Sequence, residues 1–237
     1  MLFTLLALCY HICMKNRKKF TAIIVLDLVT FGLMVLGITF SMFDIRFMGD
    51  YPRLSSLPIL MTFTGLSNLF IGLVCLACAV YRLTNKKMIL PKILFLLKII
   101  ALADITITFL TTALYLAPSV GSIWWRLYIN NNIFNHFLTP LVSIITFILL
   151  EEYVKTDWKD CFFSLIPLAI YGAFYIINVY THLTPVGETS LTYDIYGFCR
   201  FGVFFLILFL IGFAAVSFGL TYVYLIINKQ KRSQYFF

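Results

Sequence analysis

The sequence predicts an all-α integral membrane protein, a bundle of six transmembrane helices with both termini in the cytoplasm. Of its 237 residues, 62% are hydrophobic and only 12% are charged, which leaves too few polar residues to cover a soluble core. Six apolar stretches are also long enough to cross the roughly 30 Å hydrocarbon layer. The net charge of +8 comes from basic runs beside these stretches. We attribute it to topology and lipid headgroups and expect no nucleic-acid partner.

Six predicted spans are separated by short loops. The spans are Phe20–Phe43, Leu57–Leu83, Ile93–Ala117, Asn131–Leu150, Cys161–Tyr180 and Phe198–Ile227. The loops contain the helix breakers Pro52, Pro91, Pro118, Gly121, Pro185 and Gly187. Because no soluble domain or long repeat is apparent, residues 20–237 are predicted to form a single transmembrane domain.

Residues 1–19 are predicted to be a short N-terminal segment outside that domain. Residues 1–13 are apolar but too short to span, and the basic run MKNRKK begins at Met14. A cleaved signal peptide carries its charges before the apolar stretch, so none is expected here. The segment is either a translated upstream extension, with Met14 as the biological start, or a short interfacial segment. Of the two we favour the extension.

The distribution of Lys and Arg predicts the orientation of the bundle. Thirteen of the 18 basic residues lie at the two termini and beside the second and fourth connections between spans, and four lie beside the other connections. The positive-inside rule places the richer side, and with it both termini, in the cytoplasm. The remaining basic residue, Lys98, falls inside the third span.

Three spans carry polar residues on one helical face, where the bilayer penalises them. They are Thr64, Ser67 and Asn68 in the second span, Asp104, Thr108, Thr111 and Thr112 in the third, and Asn132, Asn135, His136, Thr139 and Ser143 in the fourth. At 1.5 Å per residue, Thr64 lies about 10 Å and His136 about 8 Å below the outer ends of their spans. The three faces are therefore predicted to meet around a small polar cavity in the outer half of the bilayer.

Each of these residues also has a purely structural interpretation. A Thr in a membrane helix commonly bonds its own preceding turn, and Ser, Thr and Asn commonly join helices. For Thr64 alone that interpretation is favoured. For His136 a functional role is favoured over a structural one, because placing an ionisable group inside the membrane costs free energy. The same argument favours a functional role for Asp104 and Asp27, although Asp27 could equally pair with a basic residue at the cytoplasmic end.

The cysteines give no sign of a metal or cofactor. Cys75 and Cys78 form a CxxC inside an apolar segment, but no His or second cysteine pair completes a metal site. We interpret them as small buried hydrophobic residues. No phosphate-binding glycine loop is present, and no cofactor is expected.

Four segments, in chain order, resemble one family. FTGLSNL at Phe63–Leu69 resembles the threonine region of the androgen-induced membrane threonine hydrolases and their bacterial six-span relatives. NNNIFNHFLTPLVSIITFILLEE from Asn131 is similar to their N-x-x-x-H-x-x-x-P span. DWKDCFFSLIPLAIYGAFYII and IYGFCRFG resemble the beginnings of their last two helices. The resemblance covers most of the chain.

The resemblance implies an intramembrane hydrolase of fatty acyl esters in a bacterial plasma membrane. The nucleophilic Thr and the His of that family map onto Thr64 and His136. A Thr hydroxyl needs a base within hydrogen-bonding reach, which neutral His136 could supply. Asp104, Asn135 or Asn68 could orient the imidazole or bind the oxyanion, and Thr108 and Thr111 would line the cavity.

Two rival hypotheses use the same six spans. One is a non-enzymatic protein that binds or transports a small molecule or lipid in the same polar cavity. The other is a purely structural membrane partner. Hydrolysis of an acyl ester separates the enzyme from both, and retention of a ligand without turnover identifies the binder.

Overall fold

The computed structural model describes residues 2–46, 58–182, 193–194, 196, 198 and 202–233. Six main helices follow one another in the chain, and we number them in that order. They are α1 Leu2–Met42, α2 Phe63–Asn85, α3 Lys92–Thr111, α4 Thr139–Leu150, α5 Leu165–Thr181 and α6 Val203–Ser233. The side chains of residues 2–16, 203, 232 and 233 are not described.

Among the described residues, six helical segments are long and apolar enough to cross a membrane. They are Arg17–Met42, Phe63–Asn85, Lys92–Ser119, Asn131–Leu150, Trp158–Thr181 and Phe204–Lys231. The predicted all-α, six-span architecture is therefore confirmed at this level. The cytoplasmic placement of the termini stays a prediction.

Several predicted boundaries were wrong. Pro118 was expected in a loop but lies in the short helix Ala117–Ser119, which continues the third span. The fifth span begins with a 3₁₀ turn, Trp158–Ser164, that the hydropathy pattern did not resolve. The sixth helix begins at Val203 and not at Phe198. The predicted start at Leu57 lies outside the described residues.

Helix α2 shows how local chemistry sets these ends. The Thr62 hydroxyl accepts a hydrogen bond from the Gly65 N–H at 3.0 Å, the usual geometry of an N-cap. At the other end Lys86 adopts a left-handed conformation (φ 53°), and its N–H bonds the Arg82 carbonyl. The cap residues, and not the limits of the apolar run, therefore define where α2 begins and ends.

Two π-helical turns interrupt the third span near its C-terminal end and the fourth span near its N-terminal end. One covers Thr112–Leu116 and the other Phe134–Leu138. Each is followed, two residues later, by a proline: Pro118 and Pro140. Proline lacks the N–H that would bond the carbonyl four residues before it, so an α-helical turn cannot close there. The wider turn accommodates that missing bond, and such turns are frequent at functional sites.

The described residues form three apolar regions, the smallest of which joins α1 to α2 around Ile23, Ile24 and Ala79. The largest joins α2, α3, α4 and α6 around buried residues that include Ile71, Cys75, Phe95, Ile99 and Phe147. Cys75 and Cys78 are free, buried thiols in this core. The second region joins α5, α6 and the residues between them, and aromatic rings dominate it. This aromatic region lies against the candidate site.

Candidate functional site

The polar faces of α2 and α3 contact each other directly. The Ser67 and Thr108 hydroxyl oxygens lie 2.7 Å apart, and both side chains are buried. The Ser67 hydroxyl also donates to the Thr64 carbonyl at 3.1 Å. One hydroxyl group thus contacts both Thr108 and the backbone of its own helix. The contact fixes the register of α2 against α3 one turn below Thr64.

The Asn68 amide joins α2 to the segment that carries His136. Its Nδ2 donates to the Thr64 carbonyl at 2.8 Å and to the Asn135 carbonyl at 3.0 Å. Asn68 is fully buried, so these two bonds satisfy both protons of its amide nitrogen. A single side chain thus ties the backbone of Thr64 to the backbone of the residue preceding His136.

Asn135 extends this connection to α1. Its Nδ2 donates to the Gly37 carbonyl at 3.3 Å and to the Ser41 hydroxyl at 3.1 Å. Asn131, one turn earlier, donates to the same hydroxyl at 2.7 Å. A Cβ on Gly37 would overlap the Asn135 side chain, so the absence of a side chain at residue 37 permits this close approach.

His136 is buried within the π-helical turn that precedes Pro140. Its Nδ1 lies 2.9 Å from the Leu127 carbonyl oxygen. A carbonyl can only accept, so Nδ1 carries the proton in the neutral ring, and Nε2 is left with its lone pair. The Leu127 contact therefore orients the ring and selects the tautomer whose Nε2 can take up a proton.

A cavity of about 50 Å³ lies on the side of α2 that carries Thr64. Its polar wall is formed by Thr64, Thr108, Thr111 and Thr112. The opposite wall is apolar and aromatic, with contributions from Leu168, Tyr171, Gly172, Tyr175, Tyr196, Phe198, Leu210 and Phe213. At about 10–15 Å³ of such volume per water, the cavity has room for a few water molecules or one small polar group.

The structure brings only some of the predicted site residues to this cavity. Among the residues that the structure describes, those lining it include Thr64, Thr108 and Thr111 but not Asn68, Asp104, Asn135 or His136. Asp104 is 1% exposed, and its Oδ1 has no hydrogen-bond partner in the described part of the chain. The Asn68 connection, and not a shared cavity wall, is what relates Thr64 to His136.

The sequence interpretation did not single out Tyr196, which lies at the start of α2 beside Thr64. Its hydroxyl oxygen accepts a hydrogen bond from the Phe63 N–H at 3.1 Å. Burial raises the pKa of Tyr196, and hydrogen bonds from Tyr171, Phe63 and Thr64 partly oppose that rise. The phenol is therefore neutral at physiological pH. The only signal in the sequence was the aromatic-rich start of the sixth span.

A second polar cluster lies at the other end of the bundle. Arg82 donates to Asp27 at 2.6 Å and also to Glu151, while Lys98 lies 2.7 Å from both of these carboxylates. All four side chains are at most 2% exposed. Asp27 thus pairs with basic residues, as the alternative interpretation expected. Although burial opposes ionisation, Lys98 and Arg82 lower the pKa of Glu151 below its usual value.

No metal site was found among the described residues, since no three His, Cys, Asp or Glu side chains there come together in a suitable group. The chain matches no protein-family model, no curated protein and no solved structure. The resemblance to the threonine hydrolases therefore stays a prediction that rests on the motif residues.

Proposed function

We propose that this chain is an intramembrane hydrolase of lipid esters, with Thr64 as nucleophile and His136 as general base. The observation that carries the proposal is the Asn68 amide, which donates to the carbonyls of both Thr64 and Asn135. The backbone segments that carry two chemically suitable groups, far apart in sequence, are in this way tied to each other through one buried side chain. The resemblance to the threonine hydrolases supports the same pair and suggests a bacterial plasma membrane.

The reaction follows the usual course of acyl transfer. The Thr64 Oγ1 forms a bond to the ester carbonyl carbon as its proton passes to His136 Nε2, and the carbonyl electron pair moves onto oxygen. When that oxyanion collapses, the ester C–O bond breaks and the leaving alkoxide takes the proton from His136. Water then attacks the acyl-threonine in the same way, releasing the fatty acid and restoring Thr64.

His136 has the properties that this role needs. A base must be neutral and hold a free lone pair, and the Leu127 carbonyl leaves that lone pair on Nε2. The π-helical turn and Pro140 take the backbone around His136 out of regular α-helical geometry, as is frequent at functional sites. The pair is expected to close when substrate is bound, as catalytic hydrogen bonds commonly do.

The surroundings of Thr64 fit an ester attached to an apolar chain. The cavity holds a small polar group between threonine hydroxyls and aromatic rings. It is too small for a whole acyl chain, but Phe213 lines both the cavity and an apolar groove on the lipid side of α6. An acyl chain lying in that groove would bring its ester past Phe213 to Thr64.

A second candidate function is favoured by one observation, the absence of His136 from the described lining of the Thr64 cavity. A protein that binds or transports a lipid or small molecule needs the threonine wall and the aromatic wall but no base. In that case His136 would be a structural residue held by Leu127. Turnover decides between the two functions.

The deciding experiment is hydrolysis of a panel of fatty acyl esters by the purified protein in lipid nanodiscs. Thr64→Ala and His136→Ala are each expected to abolish turnover, and Thr64→Ser to retain it because the hydroxyl remains. A fluorophosphonate probe should label the wild type at Thr64 and leave Thr64→Ala unlabelled.

Two control variants test whether the loss of activity is specific to Thr64 and His136. Each removes a Thr or a His at an exposed position away from the site. Thr84 is an exposed threonine at the far end of α2, and His182 is an exposed histidine after α5. Thr84→Ala and His182→Ala are expected to keep wild-type activity. If the wild type hydrolyses no ester but retains a labelled lipid, the chain is a binder and the enzyme proposal fails.

A further inference from the structure

The first turn of α2 holds the Tyr196 hydroxyl at the edge of the Thr64 cavity. The first N–H groups of a helix have no acceptor within the helix, and this end carries a partial positive charge. The Gly65 N–H is satisfied by the Thr62 cap, and the Phe63 N–H donates to the Tyr196 hydroxyl. Because the Phe63 N–H occupies a lone pair of that oxygen, the phenol keeps its own proton for donation to an acceptor in the cavity.

Tyr196 is held firmly in that position. The Tyr115 hydroxyl donates to its backbone carbonyl at 2.9 Å. Its ring stacks on Phe198, with centroids 5.3 Å apart and planes inclined by 20°, and packs against Tyr175 at 5.7 Å. A donor fixed in this way needs no reorganisation when charge develops near it, which is the condition for strong electrostatic stabilisation.

An independent observation indicates that the cavity takes a polar ligand group. Thr112 is 1% exposed and lines the cavity, yet its hydroxyl has no hydrogen-bond partner among the described residues. Buried hydroxyl groups are almost always paired in folded proteins. A hydroxyl left in this state beside Thr64 and Tyr196 is explained if a bound molecule supplies the partner.

We infer that the Tyr196 hydroxyl is the oxyanion donor of the ester cleavage at Thr64. The inference rests on the proposed hydrolase function. The geometry behind it is the shared cavity, the Phe63 N–H on the phenol oxygen and the interaction of Thr64 with that hydroxyl. The proton stays on Tyr196 throughout, and only the hydrogen bond becomes stronger as negative charge collects on the carbonyl oxygen of the substrate.

The neutral groups around the Tyr196 hydroxyl are weak competitors for its proton. Thr64 and Tyr171 both lie within reach of the hydroxyl. Tyr171 itself donates to the Met61 carbonyl through a long bond of 3.4 Å. A charged oxyanion accepts a hydrogen bond more strongly than either neutral oxygen, so it displaces them in the transition state.

The test is the Tyr196→Phe variant, which removes the hydroxyl and keeps the ring that packs on Phe198. Loss of one oxyanion donor commonly lowers kcat by about 100- to 1,000-fold. We expect that loss with KM changed less than about threefold, since the donor acts in the transition state. The matched control is Tyr222→Phe on the exposed side of α6, which should behave as the wild type.

A pair of inhibitors separates this role from a structural one. A trifluoromethyl ketone forms a tetrahedral oxyanion with Thr64, whereas an ether analogue of the ester cannot. Tyr196→Phe should weaken the ketone by at least tenfold and leave the affinity of the ether unchanged. If Tyr196→Phe changes the affinity of both inhibitors equally, or leaves kcat unchanged while the wild type is active, the oxyanion role of Tyr196 is refuted. The proposed hydrolase function is then unaffected. A wild type without any turnover overturns both.

Discussion

Arg82 donates from its Nη1 to Oδ2 of Asp27 at 2.6 Å, and neither side chain is exposed. The contact joins α1 to α2 and belongs to the four-charge cluster that also contains Lys98 and Glu151. Two cations and two anions make the cluster neutral as a whole. Each charge is tolerable in the apolar surroundings only because the other three are present.

Removing one cation from this cluster should destabilise the protein strongly. Arg82→Met leaves Lys98 to neutralise two buried carboxylates, and breaking a buried ion pair in this way costs about 3–5 kcal/mol. Lys87→Met, at an exposed position just after α2, should change stability by less than about 0.5 kcal/mol. The measurement is thermal or denaturant unfolding in detergent.

The Asp27→Asn, Lys98→Met double variant sharpens that test. It removes one charge of each sign and leaves the Arg82–Glu151 pair. Its loss of stability should therefore be smaller than the loss caused by Arg82→Met. A double variant that is less stable than Arg82→Met would show that charge balance does not govern the cluster.

Asn68→Ala is expected to weaken both stability and catalysis. It removes the donor shared by the Thr64 and Asn135 carbonyls, and an unsatisfied buried group costs about 1–3 kcal/mol. Loss of that connection should also lower ester turnover by more than the fraction of unfolded protein explains. Asn85→Ala is the control, because Asn85 is an exposed asparagine of the same helix. Turnover equal to that of Asn85→Ala would refute the connection as a catalytic support.

Gly65→Ala should destabilise the first turn of α2. A Cβ at this residue would overlap the carbonyl oxygen of Ile59 and lie 2.7 Å from its carbonyl carbon, which are backbone atoms that cannot rotate away. Such overpacking costs about 1–3 kcal/mol. Gly32→Ala, where nothing lies within 4 Å of the added Cβ, should not lower the unfolding temperature. The prediction fails if the two variants unfold at the same temperature.

Cysteine accessibility tests the predicted orientation. In a cysteine-free background, Lys18→Cys and Lys229→Cys should react with a membrane-impermeant maleimide only after the cytoplasmic side is opened. Ser119→Cys, at the opposite end of the third span, should react in intact cells. All three positions are exposed, so differences in labelling report sidedness and not burial. Labelling of Lys18→Cys and Lys229→Cys from opposite sides would refute the cytoplasmic placement of both termini.

The six spans could be predicted because crossing a bilayer imposes a minimum length on an apolar run. Their ends could not, because short-range chemistry decides them. Helix α2 begins at the Thr62 cap, and the third span continues through Pro118 because a π-helical turn absorbs the missing hydrogen bond. Hydropathy averages over such single-residue effects.

For contacts between spans, only the kind of residue involved could be predicted, and not which two residues meet. The shared polar face of Thr64, Ser67 and Asn68 follows from helical spacing, but which neighbour each residue meets depends on how the helices cross. Lys98 was left without a role, and Glu151 was not considered as a partner for Asp27. Tyr196 reaches Thr64 through the chain between α5 and α6, for which no periodic pattern exists.

The buried charge cluster also constrains the order in which the protein can be made. Asp27, Arg82 and Lys98 come from the first three spans, whereas Glu151 directly follows the fourth. Until residue 151 leaves the ribosome, the three earlier charges carry one surplus positive charge that lipid cannot neutralise. The first three spans therefore need the insertion machinery, water or an anionic headgroup beside them until the fourth is complete. A chain truncated before Glu151 should be held by the translocon and degraded, even though its hydrophobic segments are intact.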